Sequence, residues 1–87
     1  MEDNSEYNCT VINAEKYTFW YKGDMFHRLS GPACEFANGA KLYFQNGMLH
    51  RLDGPAVIYA NANRYWFIDN RKYSEADFLK EIANKGK

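Results

Sequence analysis

Short apolar stretches punctuated by tight-turn residues run along this chain from Cys9 to Tyr73. Leu42-Tyr43-Phe44-Gln45 and Met48-Leu49-His50 flank Asn46-Gly47, which predicts two strands joined by a two-residue type I′ turn, because both central residues need positive φ. Equivalent turns fall at Gly23-Asp24 and Asp69-Asn70. Asp53-Gly54-Pro55 predicts a second kind of turn, with an unusual φ at Gly54 and a fixed one at Pro55. The strand Ala56-Val57-Ile58-Tyr59 and a polar turn at Asn61-Ala62-Asn63 follow. The outcome is an antiparallel meander. Beyond Tyr73 the period changes. Ser74 is placed as a helix N-cap with Asp77 three residues on. Phe78, Leu79 and Ile82 then form one apolar stripe at helical spacing.

The pattern repeats. His27-Arg28-Leu29-Ser30-Gly31-Pro32-Ala33 recurs 23 residues later as His50-Arg51-Leu52-Asp53-Gly54-Pro55-Ala56. The same spacing aligns Phe19-Trp20-Tyr21 with Leu42-Tyr43-Phe44 and Tyr65-Trp66-Phe67, and Val11 with Cys34 and Val57. Repeat arrays need an atypical end to cover the last unit. The expected fold class is therefore mainly β: a meander of tandem 23-residue β-hairpin repeats over residues 9–73, with one C-terminal capping helix in residues 74–85. Residues 1–8, acidic and poor in apolar side chains, are expected to be a loose N-terminus.

With 87 residues the chain has room for one domain. Aromatic residues make up 17% of it, and each large ring buries on the order of 150–250 Å², so a thin core is feasible. Eleven basic residues balance eleven acidic ones. That lacks the basic excess with which nucleic-acid binders replace phosphate counterions. No apolar run is long enough to span a bilayer, and the start does not resemble a signal peptide. A cytoplasmic protein with reduced Cys9 and Cys34 is the expectation.

The 23-residue period and the spacing Phe44-Gln45-Asn46-Gly47-Met48-Leu49-His50 resemble MORN repeats, hairpin units that stack into an elongated sheet. A MORN unit usually continues His-Gly-x-Gly. Here His50-Arg51-Leu52-Asp53-Gly54-Pro55-Ala56 is one residue longer and has Arg in place of Gly. That form resembles a MORN-variant group of small proteins of phages and large viruses, and Tyr73-Ser74-Glu75-Ala76-Asp77-Phe78-Leu79-Lys80 is similar to how those arrays close. The resemblance covers about three quarters of the chain. It implies the fold and the binding of a partner.

His27 and His50 invite a catalytic reading, with Cys34 as nucleophile. Both histidines occupy one repeat position, however, and a residue that recurs once per unit builds the unit. The favoured reading is that imidazole and guanidinium brace the hairpin by bonding turn carbonyls or Asp53. Two histidines a repeat apart make no closed metal set, and no cofactor is expected. Alternation along the strands puts Trp20, Tyr43 and Trp66 on one face. Phe19, Tyr21, Leu42, Phe44, Tyr65 and Phe67 fall on the other, which is expected to be the core and partly covered by the helix. The candidate partner-binding residues are thus Trp20, Tyr43, Trp66, Arg28, Arg51, His27 and His50. The leading functional expectation is a non-enzymatic protein-binding module, a phage-encoded inhibitor that occludes a host defence protein. The alternatives are a structural protein acting as a homo-oligomer, with a homodimer as its simplest form, and a small-molecule-binding protein.

Overall fold

The computed structural model describes residues 10–85. The expected loose N-terminus and Cys9 lie outside the described residues. The elements are β1 (Thr10–Asn13), β2 (Tyr17–Lys22), β3 (Met25–Phe26), β4 (Cys34–Phe36), β5 (Lys41–Leu42), β6 (Phe44–Gln45), β7 (Met48–Leu49), β8 (Val57–Ile58), β9 (Arg64–Ile68), β10 (Arg71–Tyr73) and α1 (Glu75–Lys85). The mainly-β meander with one terminal helix is as the sequence predicts. One antiparallel path runs β1-β2-β4-β5-β8-β9-β10, with β3 also on β2 and β6 paired with β7.

Each unit is a hairpin, a loop and a crossing strand. At Trp20 the long strand changes partners: its N–H donates to Ala33 O and its carbonyl accepts from the His27 N–H. Tyr43 does the same with Ala56 and His50, 23 residues on. Successive hairpins are tied by main-chain bonds: Arg28 N–H to Phe44 O (3.1 Å) and Arg51 N–H to Phe67 O (3.1 Å). Few groups are left to solvent along these seams, which is why so thin a sheet holds its register.

The turns follow their residues. Asn46-Gly47 and Asp69-Asn70 have positive φ at both central positions, the I′ signature. At Gly23-Asp24 only Gly23 is positive, the sign pattern of a II′ turn. Gly31 and Gly54 are not at positive φ, so the expected unusual backbone at Gly54 is absent, and its reason lies in packing, described below. Short loops join β4 to β5 and β8 to β9. In each, an Asn side chain accepts a backbone N–H (Asn38 from Ala40, 3.0 Å; Asn61 from Asn63, 3.1 Å). The next residue is left-handed: Gly39 (φ 96°) in one and Ala62 (φ 73°) in the other.

The first hairpin breaks the repeat. Ala14 N–H donates to Tyr17 O, a turn one residue tighter than its equivalents, and Val11 consequently pairs with Trp20 while Cys34 pairs with Phe19 and Leu42. A one-residue slip sends every side chain to the opposite face. Val11 is therefore 50% exposed, although its sequence equivalents Cys34 and Val57 are 1% and 4% exposed.

The helix is not where the alternation suggested. Ser74 Oγ accepts the Asp77 N–H at 3.1 Å as its N-cap. Phe78 is buried, and Phe78, Leu79 and Ile82 share a cleft with Trp66, Arg64 and Pro55. The helix thus lies on the Trp66 face and leaves the Phe67 face open. The physical reason is local. Tyr73-Ser74 stands where the other units have His-Arg, so Trp66 has no guanidinium to cover it and the helix stripe does so instead. The fully buried side chains are small, Ala33, Cys34, Ala56 and Val57, with Ile68 and Phe78. The other large rings are half-buried, except Tyr17 and Tyr59, which are exposed.

Ala62 tests the loop account. An L-residue in the left-handed region costs roughly 1 kcal/mol, and the exposed Ala62 side chain has no packing to lose. Ala62→Gly is expected to raise the urea midpoint by the equivalent of about 1 kcal/mol, whereas Gly39→Ala should lower it by a similar amount.

Candidate functional site: the groove between the His-Arg loops

The repeated heptapeptide forms a loop that folds over its own unit. In the first, the Arg28 guanidinium lies 3.9 Å above the Trp20 ring centroid and its Nη1 donates to Pro32 O at 3.3 Å. In the second, Arg51 sits 4.0 Å above Tyr43 and its Nη1 donates to Pro55 O at 3.1 Å. A glycine closes the far side: a Cβ on Gly31 would stand 3.2 Å from Arg28 Cζ, and one on Gly54 would stand 2.9 Å from Arg51 Cζ. The flat cation is packed between a ring and a backbone with no room for a side chain. Cation–π attraction contributes on the order of 0.5–1 kcal/mol at such half-exposed sites.

The histidines tie one unit to the next. His27 Nδ1 accepts the N–H of Asn46 at 2.9 Å, and His50 Nδ1 accepts that of Asp69 at 3.2 Å. Each thus satisfies the first residue of the following hairpin turn. Through Nδ1 the bond runs from backbone to ring: those turns offer an N–H, and a neutral imidazole supplies an acceptor. His50 has a second option, since Asp69 Oδ1 lies 3.1 Å from the same Nδ1.

The two arginines differ in one respect. Arg51 Nε donates to Asp53 Oδ1 at 2.7 Å. The equivalent of Asp53 is Ser30, and the carboxylate nearest Arg28 is Glu35, with Oε2 at 3.8 Å from Nη1. At that distance and exposure the pair is weak. The positive charge of Arg28 is therefore largely uncompensated.

Between the two loops runs a groove of about 360 Å³, floored by Tyr43 and bounded by Arg28, Ser30, His50, Arg51 and Asp53. Four of the seven predicted partner-binding residues (Arg28, Tyr43, His50 and Arg51) line it together. Trp20 lies beneath Arg28, Trp66 beside the helix, and His27 is buried. Leu29 and Leu52, also in the groove wall, are 38% and 44% exposed and are absent from the predicted set. Their signal was an apolar residue after His-Arg in both loops, where a turn has no core to reach.

Cys34 is buried, and burial pushes its thiol up to about 11, the opposite of what a nucleophile needs. Among the described residues no group of three or more His, Cys, Asp or Glu is placed to hold a metal ion. No helix among them is long and apolar enough to cross a membrane.

Gly54→Ala is expected to cost roughly 1–2 kcal/mol by displacing the guanidinium from its ring and carbonyl, and Gly31→Ala less. In an Arg51→Ala background the same Gly54→Ala change should turn neutral or stabilising. Equal costs in both backgrounds, measured by urea unfolding, would refute the packing account. Arg51 also holds the Asp53 carboxyl below its ordinary 3.8 through their hydrogen bond. The stabilisation this implies is present above that ordinary value and is lost as pH falls through the lowered one. An NMR titration should show the Asp53 midpoint below 3.8 and its return in Arg51→Ala.

Compared with protein-family models, curated proteins and solved structures, this chain matches nothing.

Proposed function

We propose that this chain is a non-enzymatic protein-binding module whose contact surface is the groove between its two His-Arg loops. The observation that supports it is the composition of that groove. Two exposed leucines flank two guanidiniums held flat on aromatic rings. Arginine and aromatic residues with desolvated apolar neighbours are the usual energetic centre of a protein interface. The side chains are held in place before contact, so little rotamer entropy is lost on binding.

The charge distribution narrows the partner. Arg51 is already neutralised by Asp53, while Arg28 has a carboxylate only at 3.8 Å. The partner therefore presents an acidic side chain to Arg28 with apolar groups on either side for Leu29 and Leu52. The likeness to MORN-variant proteins of phages extends the reading to a host protein, a defence protein above all, met in the host cytoplasm and inhibited by occlusion of its surface.

A pull-down from lysate of such a host tests this. Wild-type protein should retain one partner that a Leu29→Asp/Leu52→Asp variant with an unchanged circular dichroism spectrum does not. Arg28→Ala should weaken retention by about tenfold, the value of one charge-assisted hydrogen bond of ~1.5 kcal/mol. Recovery of the same proteins by wild type and double variant would reject the groove as the contact.

A further inference from the structure

The face opposite the groove is a single apolar layer. Cross-strand pairing places Ile12, Phe19, Cys34, Leu42, Val57 and Tyr65 in one continuous row across the sheet. Tyr17 with Phe36, Tyr21 with Phe26, and Phe44 with Leu49 extend it on either side. The register puts Lys72, opposite Phe67, on this face, whereas Glu35, Lys41 and Arg64 share the row of the other face. Both His-Arg loops and the helix also lie on that other face. Among the described residues, then, no second layer covers the aromatic one.

A sheet that is apolar on one face has to bury that face against another element. Residues 1–9 and 86–87 bring Met1, Tyr7 and Cys9 as their apolar side chains, too little for a layer. We infer that a second copy of this chain supplies it, the two aromatic faces closing on each other about a two-fold axis into a β-sandwich.

Two features single out a second copy over an unrelated protein. The first is relief. In the N-terminal half the rings pack into a ridge, with Tyr17 stacked on Phe19 at 4.4 Å, Phe19 edge-on to Phe26 at 5.4 Å, and Phe26 tilted against Phe44 at 5.2 Å. In the C-terminal half the same face holds a hollow of about 390 Å³ walled by Leu42, Leu49, Val57, Tyr59 and Phe67, and by Tyr65 with the Lys72 ammonium 4.7 Å over its ring. A two-fold axis between ridge and hollow seats each ridge in the other copy's hollow, the self-complementarity that a closed dimer requires. The second is extent. The molecule is a slab of 38 × 36 × 18 Å. Its broad face is wider than the patch about 28 Å square that a stable interface needs at ~800 Å² per partner. In this dimer both grooves face outward, so the assembly is bivalent.

Sedimentation equilibrium of the full chain tests the inference. Wild type should have twice its 10.2 kDa chain mass. Tyr17 and Tyr59 are exposed, on the ridge and at the hollow respectively, so Tyr17→Lys and Tyr59→Glu should each halve that mass and keep the circular dichroism spectrum. Mixed one to one, the two variants should recover a dimer, because the ammonium introduced on one chain's ridge then meets the carboxylate introduced at the other chain's hollow. If either variant unfolds, filtered NOEs between Tyr17 and Phe67 rings in a mixed-label wild-type sample read the same contact. A monomeric wild type at 100-fold dilution from about 1 mM, which leaves a standard interface associated, overturns the inference. So does a dimer untouched by both substitutions, or the absence of rescue on mixing. None of these outcomes touches the groove on the opposite face, whose own test uses Leu29 and Leu52.

Discussion

In each complete unit a guanidinium lies flat between an aromatic ring and a glycine, and the loop face is organised around that contact. Arg28 over Trp20 and Arg51 over Tyr43 hold the loop down, and their bonds to Pro32 and Pro55 set its path. The loop then brings Ala33 and Ala56 into full burial beside the strand pivots at Trp20 and Tyr43, whose N–H groups donate to those alanine carbonyls. A larger residue than alanine has no place there. His, Arg, Gly, Pro and Ala in the motif therefore each answer a separate physical demand, and the position just before Gly-Pro is left to vary between Ser30 and Asp53.

Stacking one unit on the next depends on the imidazole. A type I′ turn leaves the N–H of its first central residue pointing out of the hairpin, and His27 and His50 each reach 19 positions along the chain to accept it. The tie is directional: each unit braces the one that follows. The last unit has no follower, carries Tyr73 instead of histidine, and passes directly into the helix that covers Trp66. Array termination and the loss of the motif are thus one event.

The sheet's two faces divide the work. The loop face carries all three coverings, two guanidinium loops and one helix, and its exposed leucines surround a charged groove. Among the described residues the aromatic face has rings that shield one another, stacked or edge to face, but no layer above. A sheet apolar on one face is stabilised by burying that face, and the dimer we propose would do so. The proposed dimer face and the groove proposed for a partner are thus opposite surfaces, and neither obstructs the other.

From residue order alone, the 23-residue period, the hairpin turns at Asn46-Gly47 and Asp69-Asn70, the strand alternation and the capped helix were all legible, because each rests on contacts within a few positions. The division into two faces was legible too. Which face is covered was not. Alternation separates Trp66 from Phe67, but the helix goes to Trp66 because Ser74 stands where the covering arginine would be, and that cover is a contact only the folded loops reveal. The slip at β1 was hidden for a similar reason, since one residue fewer in the turn at Glu15-Lys16 inverts Val11 without altering its alignment to Cys34. Gly54 carried a plausible local explanation that was the wrong one: its backbone is ordinary, and its missing side chain makes room for Arg51. Half of the candidate site was visible as the repeated His-Arg. The groove, and the leucines that border it, exist only once two loops 23 residues apart in sequence lie side by side.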